Sequence, residues 1–184
     1  MKKVFRLSAL APLAAVILTV GTPSAHAEKA DRGKPVNIEA DRVTVDDKNK
    51  IHIFEGHVVL TQGTLTIRSD KLVVSQDAEG YQRGIATGGE DGLARFRQKR
   101  EGKNEWVEGE GERIEHDARS ELSQFFLRAH VKSADDEVRG QYIQFNGVTE
   151  TYLVTNGPNA TTLPSQQGRV QVTIQPKKKD GAAP

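Results

Sequence analysis

The chain has 184 residues, with 26 Lys and Arg against 25 Asp and Glu, 5% aromatic residues and no cysteine. Without cysteine there is no disulfide framework, thiolate metal site or cysteine nucleophile. A formal charge of +1 offers none of the basic excess that marks a nucleic-acid binder.

Lys2, Lys3 and Arg6 precede an apolar run from Leu7 to Val20, and Ala25-His26-Ala27 supplies a small-x-small end. The pattern predicts a cleavable signal peptide over residues 1–27. The run is too short, and too abruptly followed by polar sequence, to be a membrane span. Cleavage removes three basic residues and no acid, leaving 23 against 25, a formal charge of −2. The remaining length suits one domain, placed at residues 28–175. Export without a lipobox cysteine points to a bacterial periplasm or the outside of the cell.

After the charged stretch Glu28–Lys34, apolar residues alternate with polar ones at Val36, Ile38 and Ala40, at Val43 and Val45, at Leu65 and Ile67, and at Leu72 and Val74. Period-two alternation predicts short strands with one apolar face. Asp46–Lys50 and Gln62–Thr64 are turn-like separators. The runs Ile51–Phe54, His57–Leu60 and Phe125–Leu127 are apolar at both parities, so their facing stays open. Glu108–Ser123 is the best helical window, but Gly109, Gly111 and the alternation of Glu108, Glu110 and Glu112 argue for strand.

Four related units recur around Ala40-Asp41, Ser69-Asp70, Gly111-Glu112 and Gly140-Gln141. Each opens on a small residue, which suits a corner where backbones crowd. A return strand comes after each. The longer middle interval is read as an added hairpin with strands at Ala94–Lys99 and Glu105–Gly109 and a tip at Arg100–Asn104. Units of this size bury an apolar face only when stacked. The predicted fold is all-β: an elongated, open antiparallel β-roll.

A loop follows Asn156. Then Val170, Val172 and Ile174 alternate, and Pro176-Lys177-Lys178-Lys179 closes the run as edge-blunting residues do. Residues 176–184 read as a basic disordered tail. Val36, Ile38 and Ala40 come first in the roll and Val170, Val172 and Ile174 last, so both ends are open sheet edges and candidate partner interfaces.

No catalytic or metal constellation stands out. His52, His57, His116 and His130 show no ligand spacing, and His52 and His57 read as solvated. Glu108, Glu110 and Glu112 line one strand face and read as a charged, solvated exterior. No phosphate-loop, dinucleotide or nucleophile-elbow motif occurs. No cofactor is expected.

The blocks Pro35-Val36-Asn37-Ile38-Glu39-Ala40-Asp41, Gly56-His57-Val58-Val59-Leu60-Thr61-Gln62-Gly63-Thr64 and Asp70-Lys71-Leu72-Val73-Val74 resemble the LptA (OstA-like) family. The likeness continues through Ala94–Gln98, Val107–Gly109 and Gly140–Ile143. It implies a β-jellyroll whose hydrophobic groove shields the acyl chains of lipopolysaccharide (lipid A). It also implies head-to-tail stacking into a homo-oligomer, with an LptC-like inner-membrane protein at the N-terminal end. An LptD-like outer-membrane protein is implied at the C-terminal end.

The resemblance puts Val36, Ile38, Phe96 and the Ile114–Ala118 region, with His116 and Ala118, along the groove. His116 replaces an aromatic residue there. Val43, Val45, Leu65, Ile67, Leu72 and Val74 join them as the inward set of the alternation. Two other readings remain beside the transport one: a secreted β-solenoid acting on or binding polysaccharide, and a ligand-free filament module.

Overall fold

The computed structural model describes residues 31–157, apart from 32, 81 and 101, and residues 169–175. The expected signal peptide, the loop after Gly157 and the basic tail lie outside the described residues. Twelve strands occur in chain order: β1 (Asn37–Glu39), β2 (Arg42–Asp46), β3 (Ile51–Gln62), β4 (Leu65–Gln76), β5 (Gln82–Thr87) and β6 (Ala94–Lys99). Then come β7 (Trp106–Gly111), β8 (Arg113–Asp117), β9 (Leu122–Ser133), β10 (Asp136–Asn146), β11 (Thr151–Thr155) and β12 (Gln171–Thr173). A single 3-10 turn at Glu90–Gly92 is the only helical element among the described residues with an assigned span.

The strands form one continuous hydrogen-bonded sheet, which its long members bend into two facing layers. In β3, the half Val58–Gln62 pairs with β1 and the half Ile51–Glu55 with β2. Strand β4 divides the same way between β6 and β5, β9 between β7 and β8, and β10 between β12 and β11. The first layer runs β1-β3-β4-β6-β7-β9-β10-β12 and the second β2-β3-β4-β5-β8-β9-β10-β11. Every pairing is antiparallel.

The bends explain the small residues of the repeat. Gly56 (φ 81°) and His57 (φ 47°) turn β3, and Leu127 (φ 60°) and Arg128 (φ 51°) turn β9. The ladders shift register at Glu55/Val58 and at Gly140/Tyr142; an unpaired residue kinks a strand and re-aims the remainder of it. A Cβ on Gly140 would sit 2.9 Å from the carbonyl oxygen of Thr155, and one on Gly111 3.1 Å from that of Phe126. A side chain at Gly140 would force the backbone to shift, and one at Gly111 would sit tightly against it.

The hairpin β6–β7 spans Ala94 to Gly111, with its tip where the sequence places it. It is not an addition, however. It occupies the first-layer place that the β3–β4 and β9–β10 hairpins hold in their own units. Each unit is two hairpins, one per layer. The extra length of the middle unit lies in the broad corner Gly88–Leu93 and the long tip Arg100–Glu105. Alternation reveals strands but cannot tell an inserted pair from a regular one with longer connections.

Facing side chains form the core in registered rows. Phe54, Leu72, Ala86, Ile114, Phe125, Ile143 and Val154 cross the second layer. Ile38, Leu60, Ile67, Phe96, Gly109, Val131 and Val138 cross the first. The Phe96 and Phe125 rings meet edge to face, centroids 5.7 Å apart. A Cβ on Gly109 would lie 2.4 Å from Phe125 Cε1, so glycine there makes room for the ring opposite.

Candidate functional site

The layers are in contact along the middle and part toward their edges. Leu65, Ile67, Leu72, Val74, Phe96 and Ile114, all expected along the lipid groove, are instead buried between the layers as core. Val36 and Ile38 are half-buried against this cluster. Val43 and Val45 pair with Phe54 and His52 and so continue the inner rows of the second layer. Yet they are 54% and 53% exposed. The apolar inner wall therefore runs out of the core into solvent at the N-terminal end. At the other end Val172, opposite Val138, is 52% exposed, with Val170 and Ile174 exposed beside it. Ala40 is exposed at the first corner.

The chain crosses between layers along one side of the roll and makes its hairpin turns along the other. On the turn side a cavity of about 330 Å³ opens between the layers. Val36, Gln62, Leu65 and Gln98 line it from the first layer, and Gln82, His116, Ala118 and Glu121 from the second. Its lining mixes apolar Val36, Leu65 and Ala118 with the polar side chains of Gln62, Gln82, Gln98, His116, Asp31 and Glu121. Farther along, the Arg100 guanidinium reaches from the β6–β7 tip to Glu150 in the β10–β11 turn, at 3.2 Å and 2.6 Å. Lys103 approaches the same carboxylate at 3.5 Å. This two-pronged pair clasps the layers together beyond the cavity, and Arg100 beside Glu150 holds the carboxyl below its usual range.

His116 faces inward, its Nδ1 3.0 Å from Ser123 Oγ and its ring 6.2 Å from that of Phe96. Part of its surface meets the cavity, but protein encloses the ring enough that burial pushes its pKa down to about 4. The folded protein thus holds a neutral imidazole, whereas the unfolded chain takes up a proton below about 6.5. Stability from this group is complete above pH 6.5 and falls as pH drops from 6.5 toward 4. We expect the melting midpoint to fall across that window and His116→Phe to flatten the decline. An unaltered slope in the variant would show that His116 titrates alike in both states.

The open facings are settled by the bends. His52, Phe54, Val58, Leu60 and Phe125 point inward, while Ile51, Ile53, Val59 and Phe126 point outward. His57 is exposed, as expected, with Nδ1 2.8 Å from Asp41 Oδ2; that hydrogen bond, reinforced by the carboxylate charge, raises its pKa. His52 is instead half-buried on the inner face. The glutamates of β7 do lie outside, but they are paired and not free: Glu108 with Arg97 at 3.1 Å, Glu110 with Arg95 at 3.6 Å and with His130 at 3.3 Å. Glu112 beyond them meets Arg128 at 2.8 Å. Such registered opposite charges act as cross-strand pairs. They gather in no cleft. No group of three or more His, Cys, Asp or Glu suited to a metal ion occurs among the described residues.

The profile of the family described as "LptA/(LptD N-terminal domain) LPS transport protein" matches residues 37–151, which span β1 to the start of β11. The chain belongs to this family. Lipopolysaccharide export system protein LptA of Haemophilus influenzae is 28% identical over 142 residues, covering 76% of this chain and 80% of the relative. Lipopolysaccharide export system protein LptH of Pseudomonas aeruginosa is 26% identical over 161 residues, covering 87% and 90%. A crystal structure of LptH, titled the LptA-homologous periplasmic component of a lipopolysaccharide transport device, shares the fold with a TM-score of 0.70. It is 21% identical and covers 79% of this chain and 99% of its own. The LptA-like fold accounts for the recurring corner residues and the all-β reading of the sequence.

Proposed function

We propose that this protein is a periplasmic carrier of lipopolysaccharide that shelters lipid A acyl chains between its two layers and passes them along a row of stacked rolls. The observation that carries the reading is the apolar inner wall that continues past the core: Val43 and Val45 stand in the inner rows yet remain half exposed. An apolar surface that faces inward yet stays half open to solvent suits a sliding acyl chain. Each buried methylene contributes about 0.8 kcal/mol, so a chain of about ten carbons half sheltered gains on the order of 4 kcal/mol. That holds several chains collectively while each step along the wall stays small. Family membership and the names of the relatives support the same reading.

The ends support stacking. Strands β1 and β12 close the first layer and are three residues each; β2 and β11 close the second and are five each. Among the described residues, each pairs on one side only. With eight strands per layer, all antiparallel, the first and last strands run in opposite directions. A second copy docking its β1 and β2 against β12 and β11 continues the alternation in both layers. Such unlike-surface contacts build open filaments, and strand addition supplies main-chain hydrogen bonds. Val36, Ile38 and Ala40 sit at one junction and Val170, Val172 and Ile174 at the other. An LptC-like roll would cap the N-terminal end and an LptD-like roll the C-terminal end.

The test is photo-crosslinking of the purified protein with lipopolysaccharide, the photoreactive residue placed at Val43 and, as control, at the outer-face Glu110. Adducts at Val43 alone are expected. Equal labelling at both positions, or none at Val43 in folded protein, would overturn the reading. A third probe at the buried Phe96 reports whether the layers part during passage.

A further inference from the structure

We infer that the turn-side cavity selects acyl chains that carry a hydroxyl group, which Gln98 and His116 bind together. The inference rests on the reading of the inner wall as an acyl-chain site and names what that site prefers. Gln98 stands on the inner face of β6, two residues from Phe96 and opposite Val107. It is one of the few buried polar residues, at 8% exposure. Its side-chain amide has no hydrogen-bond partner among the described residues, and it lines the cavity. His116 faces the same space from β8. Ser123 occupies its Nδ1, and Nε2 has no partner among the described residues.

An apolar occupant that displaces water from the cavity leaves the Gln98 amide unpaired, at a cost on the order of 1–3 kcal/mol, so an occupant that satisfies it is preferred over one that does not. A hydroxyl both donates and accepts. It can accept from the Gln98 amide nitrogen, or donate to its oxygen, and bond His116 Nε2 in either neutral tautomer. A plain alkyl chain can do neither and leaves both groups dry. A phosphate is disfavoured: the described lining holds no Lys or Arg and includes Asp31 and Glu121. The apolar remainder, with Val36, Leu65 and Ala118, takes the methylenes on either side of the hydroxyl.

The experiment compares binding of myristate and 3-hydroxymyristate, below their micelle concentrations, to the full mature protein by calorimetry, with chemical-shift mapping to place the site. The hydroxylated chain is expected to bind about tenfold more tightly, the worth of one hydrogen bond to a buried group. Gln98→Leu and His116→Phe, each shown folded by circular dichroism, should bring the ratio of the two affinities to about one, whatever either change does to myristate binding itself. Equal affinity of the wild type for both chains at this cavity would overturn the hydroxyl selectivity and leave the acyl-chain site standing. So would a preference that survives both substitutions. Binding of neither chain would overturn the acyl-chain reading itself, and the selectivity with it.

Discussion

Phe125→Ala is expected to lower the unfolding free energy by about 3–5 kcal/mol, the range for truncating a buried aromatic side chain. The ring is fully buried at the centre of the second layer, edge-on to Phe96 and directly opposite Gly109. It packs across the layers, and deletion leaves a cavity that neighbours locked in two ladders cannot collapse to fill. Gly109→Val should destabilise from the other side, since its Cβ would fall 2.4 Å from the Phe125 ring. The double variant should recover part of the loss, because each change supplies what the other lacks. Urea unfolding of the four proteins measures this cycle. Strictly additive losses would mean that the two layers are not in contact there.

Val43→Asp with Val45→Asp should do the opposite: leave stability within about 0.5 kcal/mol and weaken lipopolysaccharide binding by at least about tenfold. Both valines are half exposed in the free protein, so little folding energy rests on them. A bound chain would cover them, and burying a valine contributes about 1.5 kcal/mol or more. A carboxylate facing the chain adds a desolvation cost. Binding measured with purified lipopolysaccharide, beside melting curves, separates the two effects. Unchanged binding in the doubly charged variant would place the acyl chains elsewhere.

Together these outcomes distinguish two roles along one inner face. Phe125, Leu72 and Ile114 hold the layers together, whereas Val43 and Val45 extend the same inner face half exposed. A carrier needs both, since a roll open along its whole length would lack a core, and one closed throughout would have no wall to offer. The Arg100–Glu150 pair belongs with the first role. It spans the turn side by side-chain contact alone, so it joins the layers without the sheet's own hydrogen bonds.

Much of this was legible in the sequence. Alternation at Val36–Ala40, Val43–Val45, Leu65–Ile67 and Leu72–Val74 marks strands because a pleated chain places every second side chain on the same face. The small residues at Ser69, Gly111 and Gly140 mark corners because backbone crowding there excludes larger ones. The likeness of the quoted blocks to the LptA family carried what periodicity could not, namely what such a roll is for.

The tertiary structure alone decided the rest. Whether Phe125 or Phe126 faces the core depends on the bend at Leu127 and Arg128, and a run apolar at both parities holds no signal of it. The β6–β7 hairpin is a regular half-unit because of which strands it pairs with, and those lie far apart in the chain. Val43 and Leu72 share one alternating pattern and one row, yet the first is half in solvent and the second wholly buried. Burial depends on how many strands lie on either side and what the opposite layer presents. These are long-range properties of the assembled sheet, and a local pattern of apolar residues does not contain them.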